Sequence, residues 1–163
     1  MQSSRCGYAV ETLNMDFPDH LLPDSVLLAP HVPDKWGLLR AMVEATADSW
    51  EMSPEIRQSC HDRVLAREES ASTGMEAGIA VPHAAVDGLA KMVVSMAVLP
   101  MGLDFASLDG LPAKVVVMIL VPKHEKLVHL HTLTEVARRL GDGDFRNTLL
   151  SATSREEVVE LWS

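Results

Sequence analysis

Apolar residues are spaced differently in different stretches of the chain, and each spacing predicts an element. After Asp34, the residues Trp36, Leu39, Met42, Val43 and Ala47 recur every three or four positions. That period predicts a helix with Asp34 as its N-cap. Ser53-Pro54-Glu55 opens a second helix, with proline in its first turn, running to about residue 66. Ser72-Thr73-Gly74 and Gly78 then mark a loop, and Ile79-Ala80-Val81 reads as a brief strand stopped by Pro82. Val26 to Ala29, between Pro23 and Pro30, reads as another short strand. Met92 to Leu99 and Val115 to Val121 are apolar at both alternating positions. Strands of that kind are covered on both faces, so helices must flank a central sheet. The period turns helical again from Leu127 to Leu140, with shorter helical segments at about 144–150 and 154–162. The order of elements predicts a single α/β domain of three layers over residues 23–163. Residues 1–22 lack periodicity and read as a flexible N-terminal arm.

Composition narrows the function. A chain of 163 residues, 47% apolar but only 4% aromatic, must build its core from aliphatic residues and its nine methionines. Its 14 basic and 23 acidic residues give a net charge of −9, which argues against binding nucleic acid or an anionic lipid surface. No run approaches the roughly 18–20 apolar residues that cross a bilayer, and Met1 to Asp16 lacks a secretory pattern. Cys6 and Cys60 form no paired motif and read as thiols in a reducing compartment. The expected location is the cytoplasm.

The segment from Arg67 to His83 carries the chemistry. A glycine-bearing loop leads into a short strand, and Pro82 fixes the chain just before His83. Strand ends of α/β sheets are where ligand clefts form, and Gly74 and Gly78 would let backbone approach a group held by His83. Taken alone, His83 is open between a hydrogen-bonded structural residue and a reactive one. A second histidine bears on that choice. On a helical wheel of about 100° per residue, Leu130, Leu133, Val136, Ala137 and Leu140 form one apolar stripe. His129 falls at the buried edge of this stripe, and His131 lies on the opposite, solvated side. The two cannot chelate one ion, since helical ligand pairs are three or four residues apart. His20, His31, His61 and His124 show no ligand spacing either, so no metal and no cofactor is expected.

Arg67, Ser72-Thr73-Gly74 and Gly78-Ile79-Ala80-Val81-Pro82-His83 together resemble the active-site segment of a known family. It is the fructose/mannitol-type enzyme IIA of the bacterial phosphotransferase system, which includes the nitrogen-regulatory enzyme IIA proteins. The similarity continues through Asp104-Phe105, Asp109-Gly110-Leu111-Pro112, Leu120-Val121-Pro122 and His129 to Leu133, and ends in the Ser154 to Glu157 segment. The resemblance implies a mixed central β-sheet between helical layers, the enzyme IIA type 2 fold. It also implies that His83 is phosphorylated, that His129 is the second active-site histidine and that Arg67 is the nearby arginine. Thr73 would contact the phosphate, with backbone N–H groups of the Gly74 to Gly78 loop beside it.

The implied function is a phosphoryl carrier of the phosphoenolpyruvate-dependent phosphotransferase system. It would accept phosphate on His83 from a histidine phosphocarrier protein. It would then donate the group to an enzyme IIB, or act as a phosphorylation-dependent regulator. The lack of an enzyme IIB or permease segment in this sequence leans the reading toward regulation. Family members often carry glycine directly after Pro-His, where this chain has Ala84-Ala85, and a methyl group there is expected to narrow access or stiffen the turn. The competing readings are a binding module that keeps the fold without the chemistry, and a metal hydrolase using His83 and His129.

Overall fold

The structure, a computed structural model, describes residues 17–163, the side chains of residues 18 and 126–129 excepted. A 3-10 turn at Phe17–Asp19 leads into strand β1 (Leu21–Leu28), followed by helices α1 (Lys35–Ser49) and α2 (Pro54–Ser70). Two short strands, β2 (Ile79–Ala80) and β3 (His83–Val86), precede the long pair β4 (Val93–Leu103) and β5 (Ala113–Pro122). Helices α3 (Lys126–Leu140), α4 (Gly143–Leu150) and α5 (Arg155–Leu161) complete the chain. The sheet is mixed: β4 and β5 are antiparallel, β1 lies parallel beside β4, and β2 and β3 lie parallel along the other side of β5.

The double-sided strands work as the alternation predicts. Val94, Met96 and Val98 of β4, with Val117, Ile119 and Val121 of β5, pack against Val136, Leu140, Leu149, Val158 and Trp162 of the C-terminal helices. The intervening Val93, Ala97, Val116, Met118 and Leu120 pack against Leu38, Leu39, Met42 and Val43 of α1 and Cys60 and Val64 of α2. Local signals set the helix starts: Asp34 accepts from the Gly37 N–H at 2.8 Å, and Ser53 caps α2 from the position before Pro54.

Several boundaries differ from the sequence reading. Strand β1 begins at Leu21, not Val26, because an edge strand tolerates Pro23. Leu21 is fully buried and Phe17 stacks on Trp162 at 4.5 Å. The packed domain therefore takes in residues 17–22, which the missing periodicity had assigned to an arm; Met1 to Asp16 lie outside the described residues. Pro82 does not end the edge strand. Ile79 pairs with Val115 and His83 with Ile119, the same register on both sides of a two-residue break. Within the break the Val81 N–H turns to the Thr73 carbonyl (3.2 Å), while the Pro82 carbonyl accepts from the Ile119 N–H (2.9 Å). The sheet resumes because proline keeps its acceptor although it lacks a donor. On α3, Thr132 is fully buried while Leu130 is 65% exposed, so the inward face is set by Thr132, Val136 and Leu140.

Candidate phosphoryl-transfer site

His83 opens strand β3 and sits half-buried in a cleft of about 430 Å³, with Arg67 from the last turn of α2 and Leu133, Thr134 and Ala137 of α3. Its Nδ1 lies 2.9 Å from the Val81 carbonyl. A carbonyl only accepts, so Nδ1 carries the hydrogen and Nε2 the lone pair. Burial pushes the His83 pKa below the ordinary imidazole value, and the positive charge of Arg67 pushes the same way; the Val81 bond and the charge of Glu68 oppose them. The balance favours the neutral imidazole.

Arg67 donates to the Ala71 carbonyl at 2.8 Å, closing the C-terminal turn of α2. The acid that follows it turns away from the cleft surface. Glu68 is 2% exposed and accepts from Lys35 Nζ (3.1 Å), from the Thr73 N–H (3.1 and 3.2 Å to its two oxygens) and from the Thr73 hydroxyl (2.5 Å). Thr73, which lines the cleft, thus gives its hydroxyl proton to Glu68. The loop amides are used likewise: the Gly74 N–H goes to Ser72 Oγ, that of Met75 to the Ile79 carbonyl and that of Ala77 to Asp109. Three of the loop amides that the sequence reading had offered to a phosphate are thus bonded within the protein.

The two loop glycines have local duties. A Cβ on Gly74 would lie 2.5 Å from Ser107 Oγ and 2.9 Å from Ser107 Cα, so this glycine admits the 105–107 backbone, not a ligand. Gly78 has φ +76, which favours glycine. Ala84 is buried against Leu38, Val64 and the other side chains under α1 and α2, on the sheet face away from α3. Its methyl fills core, which corrects the expectation that it narrows access to His83.

His131 is exposed, as the wheel places it. The side chain of His129 lies outside the described residues; its position is one helical turn before Leu133, which lines the cleft. The sequence reading missed Glu68 and Lys35. The signal was present for Glu68: Cys60, Val64 and Glu68, four residues apart, are the buried positions of α2. No comparable pattern marks Lys35.

The structure thus brings His83, bonded to the Val81 carbonyl, and Arg67 to one cleft at the edge of a mixed sheet. Residues 19–163 match the model of the phosphoenolpyruvate-dependent sugar phosphotransferase system EIIA 2 family. The chain belongs to that family. The fructose-specific EIIA component of the phosphotransferase system from Haloferax volcanii is 35% identical over 127 residues, 78% of this chain and 81% of that protein. A nitrogen regulatory protein from Escherichia coli is 31% identical over 132 residues, 80% of this chain and 79% of its own length. Among solved structures, the nitrogen regulatory protein IIA-Ntr of Neisseria meningitidis superposes with a TM-score of 0.81 at 23% identity, covering 90% of this chain and 98% of that one. The mannitol enzyme IIA of Escherichia coli, solved in complex with phosphorylated enzyme IIB, gives a TM-score of 0.68 at 25% identity over 85% of this chain and 94% of that one. The fold is the type 2 enzyme IIA fold, and among the described residues no helix is long and apolar enough to cross a membrane.

Proposed function

We propose that this chain carries a phosphoryl group on Nε2 of His83, taken from a histidine phosphocarrier protein. The observation that carries the reading is the 2.9 Å contact between His83 Nδ1 and the Val81 carbonyl. With its proton held there, a neutral imidazole presents its other nitrogen as nucleophile. The P–N bond to the donor histidine breaks as a P–N bond to His83 Nε2 forms; in onward transfer that second P–N bond breaks as phosphorus bonds to a nucleophile of the acceptor protein, and His83 is left neutral again. Arg67 steadies the oxygens in transfer, with His129 as the second histidine. No metal enters these steps.

The rim of the cleft supports transfer between proteins. Leu108 is 83% exposed and Met75 36% exposed beside the cleft, and Leu130 lies one turn before Thr134 on α3. Apolar side chains left in water around a reactive residue suit docking of a carrier protein. The acceptor is an enzyme IIB or a regulated protein, in the cytoplasm.

The test incubates the protein and its His83→Ala variant with phosphoenolpyruvate, enzyme I and the histidine phosphocarrier, and reads intact mass. Gain of one acid-labile phosphoryl group by the wild type alone is expected. No gain by the wild type, while a control enzyme IIA is phosphorylated, would overturn the reading in favour of a binding module.

A further inference from the structure

A carboxylate buried behind a site that receives phosphate needs a reason. Burying an ion pair costs desolvation, and an apolar pair of similar volume is often as stable or more so. Glu68 has a side chain 1% exposed, and Lys35 Nζ, the Thr73 N–H and the Thr73 hydroxyl all point at its oxygens. The bonding continues beyond Thr73. The Thr73 carbonyl accepts from the Val81 N–H at 3.2 Å, and the Val81 carbonyl accepts from His83 Nδ1 at 2.9 Å. Two backbone groups therefore connect the buried carboxylate to the imidazole without a gap. The connection crosses the break in the edge strand, where residue 81 has left the ladder and is placed by Thr73 instead of by β5.

Resting on the reading of His83 as phosphoryl acceptor, we infer that Glu68, held by Lys35, is a positioning residue for His83. It anchors Thr73, Thr73 anchors Val81, and the Val81 carbonyl fixes the ring so that Nε2 faces the incoming group. A charge-assisted anchor resists displacement better than a neutral one. Lys35 has a second effect. A bare carboxylate behind the cleft would repel an arriving phosphoryl group, and an ammonium 3.1 Å from it offsets that field at its source. Lys35 is itself set by the first turn of α1, which Asp34 caps, so the anchor draws on both α1 and α2.

The experiment compares wild type, Glu68→Gln and Thr73→Val, each with 15N-labelled histidine. Thr73→Val keeps the shape, the N–H bond and both charges, and removes only the hydroxyl contact, so it reports on the connection if Glu68→Gln folds poorly. Long-range 1H–15N spectra, which need no phosphoryl donor, give the His83 tautomer. The wild type is expected to show one tautomer with hydrogen on Nδ1, and both variants a mixture, larger in Glu68→Gln. With the carrier chain present, the rate of phosphoryl uptake at saturating donor is expected to fall about tenfold or more in Glu68→Gln, with the donor KM within about twofold. A tautomer unchanged in both variants overturns the inference. So does a loss of rate that merely follows the unfolded fraction measured by circular dichroism. If the wild type accepts no phosphoryl group beside a working control, the proposed function falls, and the donor-free spectra still decide whether Glu68 sets the ring.

Discussion

The two walls of the cleft are built on opposite plans. The wall from Arg67 to Gly74, backed by residues 105–107, is polar and tied at nearly every step: Glu68 to Lys35 and Thr73, Ser72 to the Phe105 carbonyl, Gly74 to Ser72. The wall from α3 presents Leu133 and Ala137, and continues into the exposed Leu130. A reacting nitrogen must be held within a fraction of an ångström, which requires directional bonds. A surface that meets two different proteins in turn gains more from apolar contact, which is not directional. In the proposed function the hydrogen-bonded wall fixes the chemistry, and the exposed apolar rim of Leu130, Leu108 and Met75 offers recognition.

The comparison breaks most completely at the residue between the walls: His83→Ala is expected to abolish acid-labile phosphoryl uptake, read by intact mass. The next largest effect is on the polar wall. Gly74→Ala places a Cβ 3.0 Å from the Phe105 carbonyl and closer still to Ser107. It should lower stability by about 1–3 kcal/mol, a fall in Tm of roughly 2–12 °C by calorimetry for a domain of this size, and slow uptake at saturating donor. On the apolar rim, Leu108→Asp is expected to leave Tm unchanged and to raise the KM for the phosphocarrier by about tenfold, because it puts a carboxylate where docking would have to strip its water. If Leu108→Asp instead lowers the rate at saturation and spares KM, the division of labour is wrong.

The smallest effect is electrostatic. Arg67→Ala removes a charge that disfavours imidazolium, so the His83 midpoint in an NMR titration should move up from its depressed position. The sign for stability follows. The folded-state pKa lies below the unfolded value of about 6.5, so the unfolded chain binds the proton first as pH falls. The contribution of His83 is full above that value and is lost as pH drops through the interval down to the folded pKa. Arg67→Ala should narrow that interval, visible as a shallower decline of Tm below pH 6.5.

Much of the fold was legible because its signals are local. Asp34 and Ser53 announce their helices within one turn, and the both-face apolar pattern of Val115 to Val121 states that helices cover both sides of the sheet. The candidate site was partly legible: the spacing from Arg67 to His83 pointed to one cleft, and both residues line it. What the pattern missed depended on neighbours distant in the chain. Leu130 reads as core by hydropathy, but α3 turns Thr132 inward, where its hydroxyl meets Met92 Sδ at 3.4 Å. The methyl of Ala84, one residue from His83, enters the opposite core because a strand alternates faces.

By itself the sequence determined the layers, the helix starts, the family and the pairing of Arg67 with His83 at one cleft, since caps, periods and motifs act over a few residues. Only the tertiary structure decided that the edge strand resumes after Pro82, that the Gly74, Met75 and Ala77 amides bond within the protein, and that Glu68 and Lys35 stand behind His83. Those outcomes rest on hydrogen bonds between groups far apart in the chain, and a donor's partner is fixed only when folding brings an acceptor within about 3 Å of it.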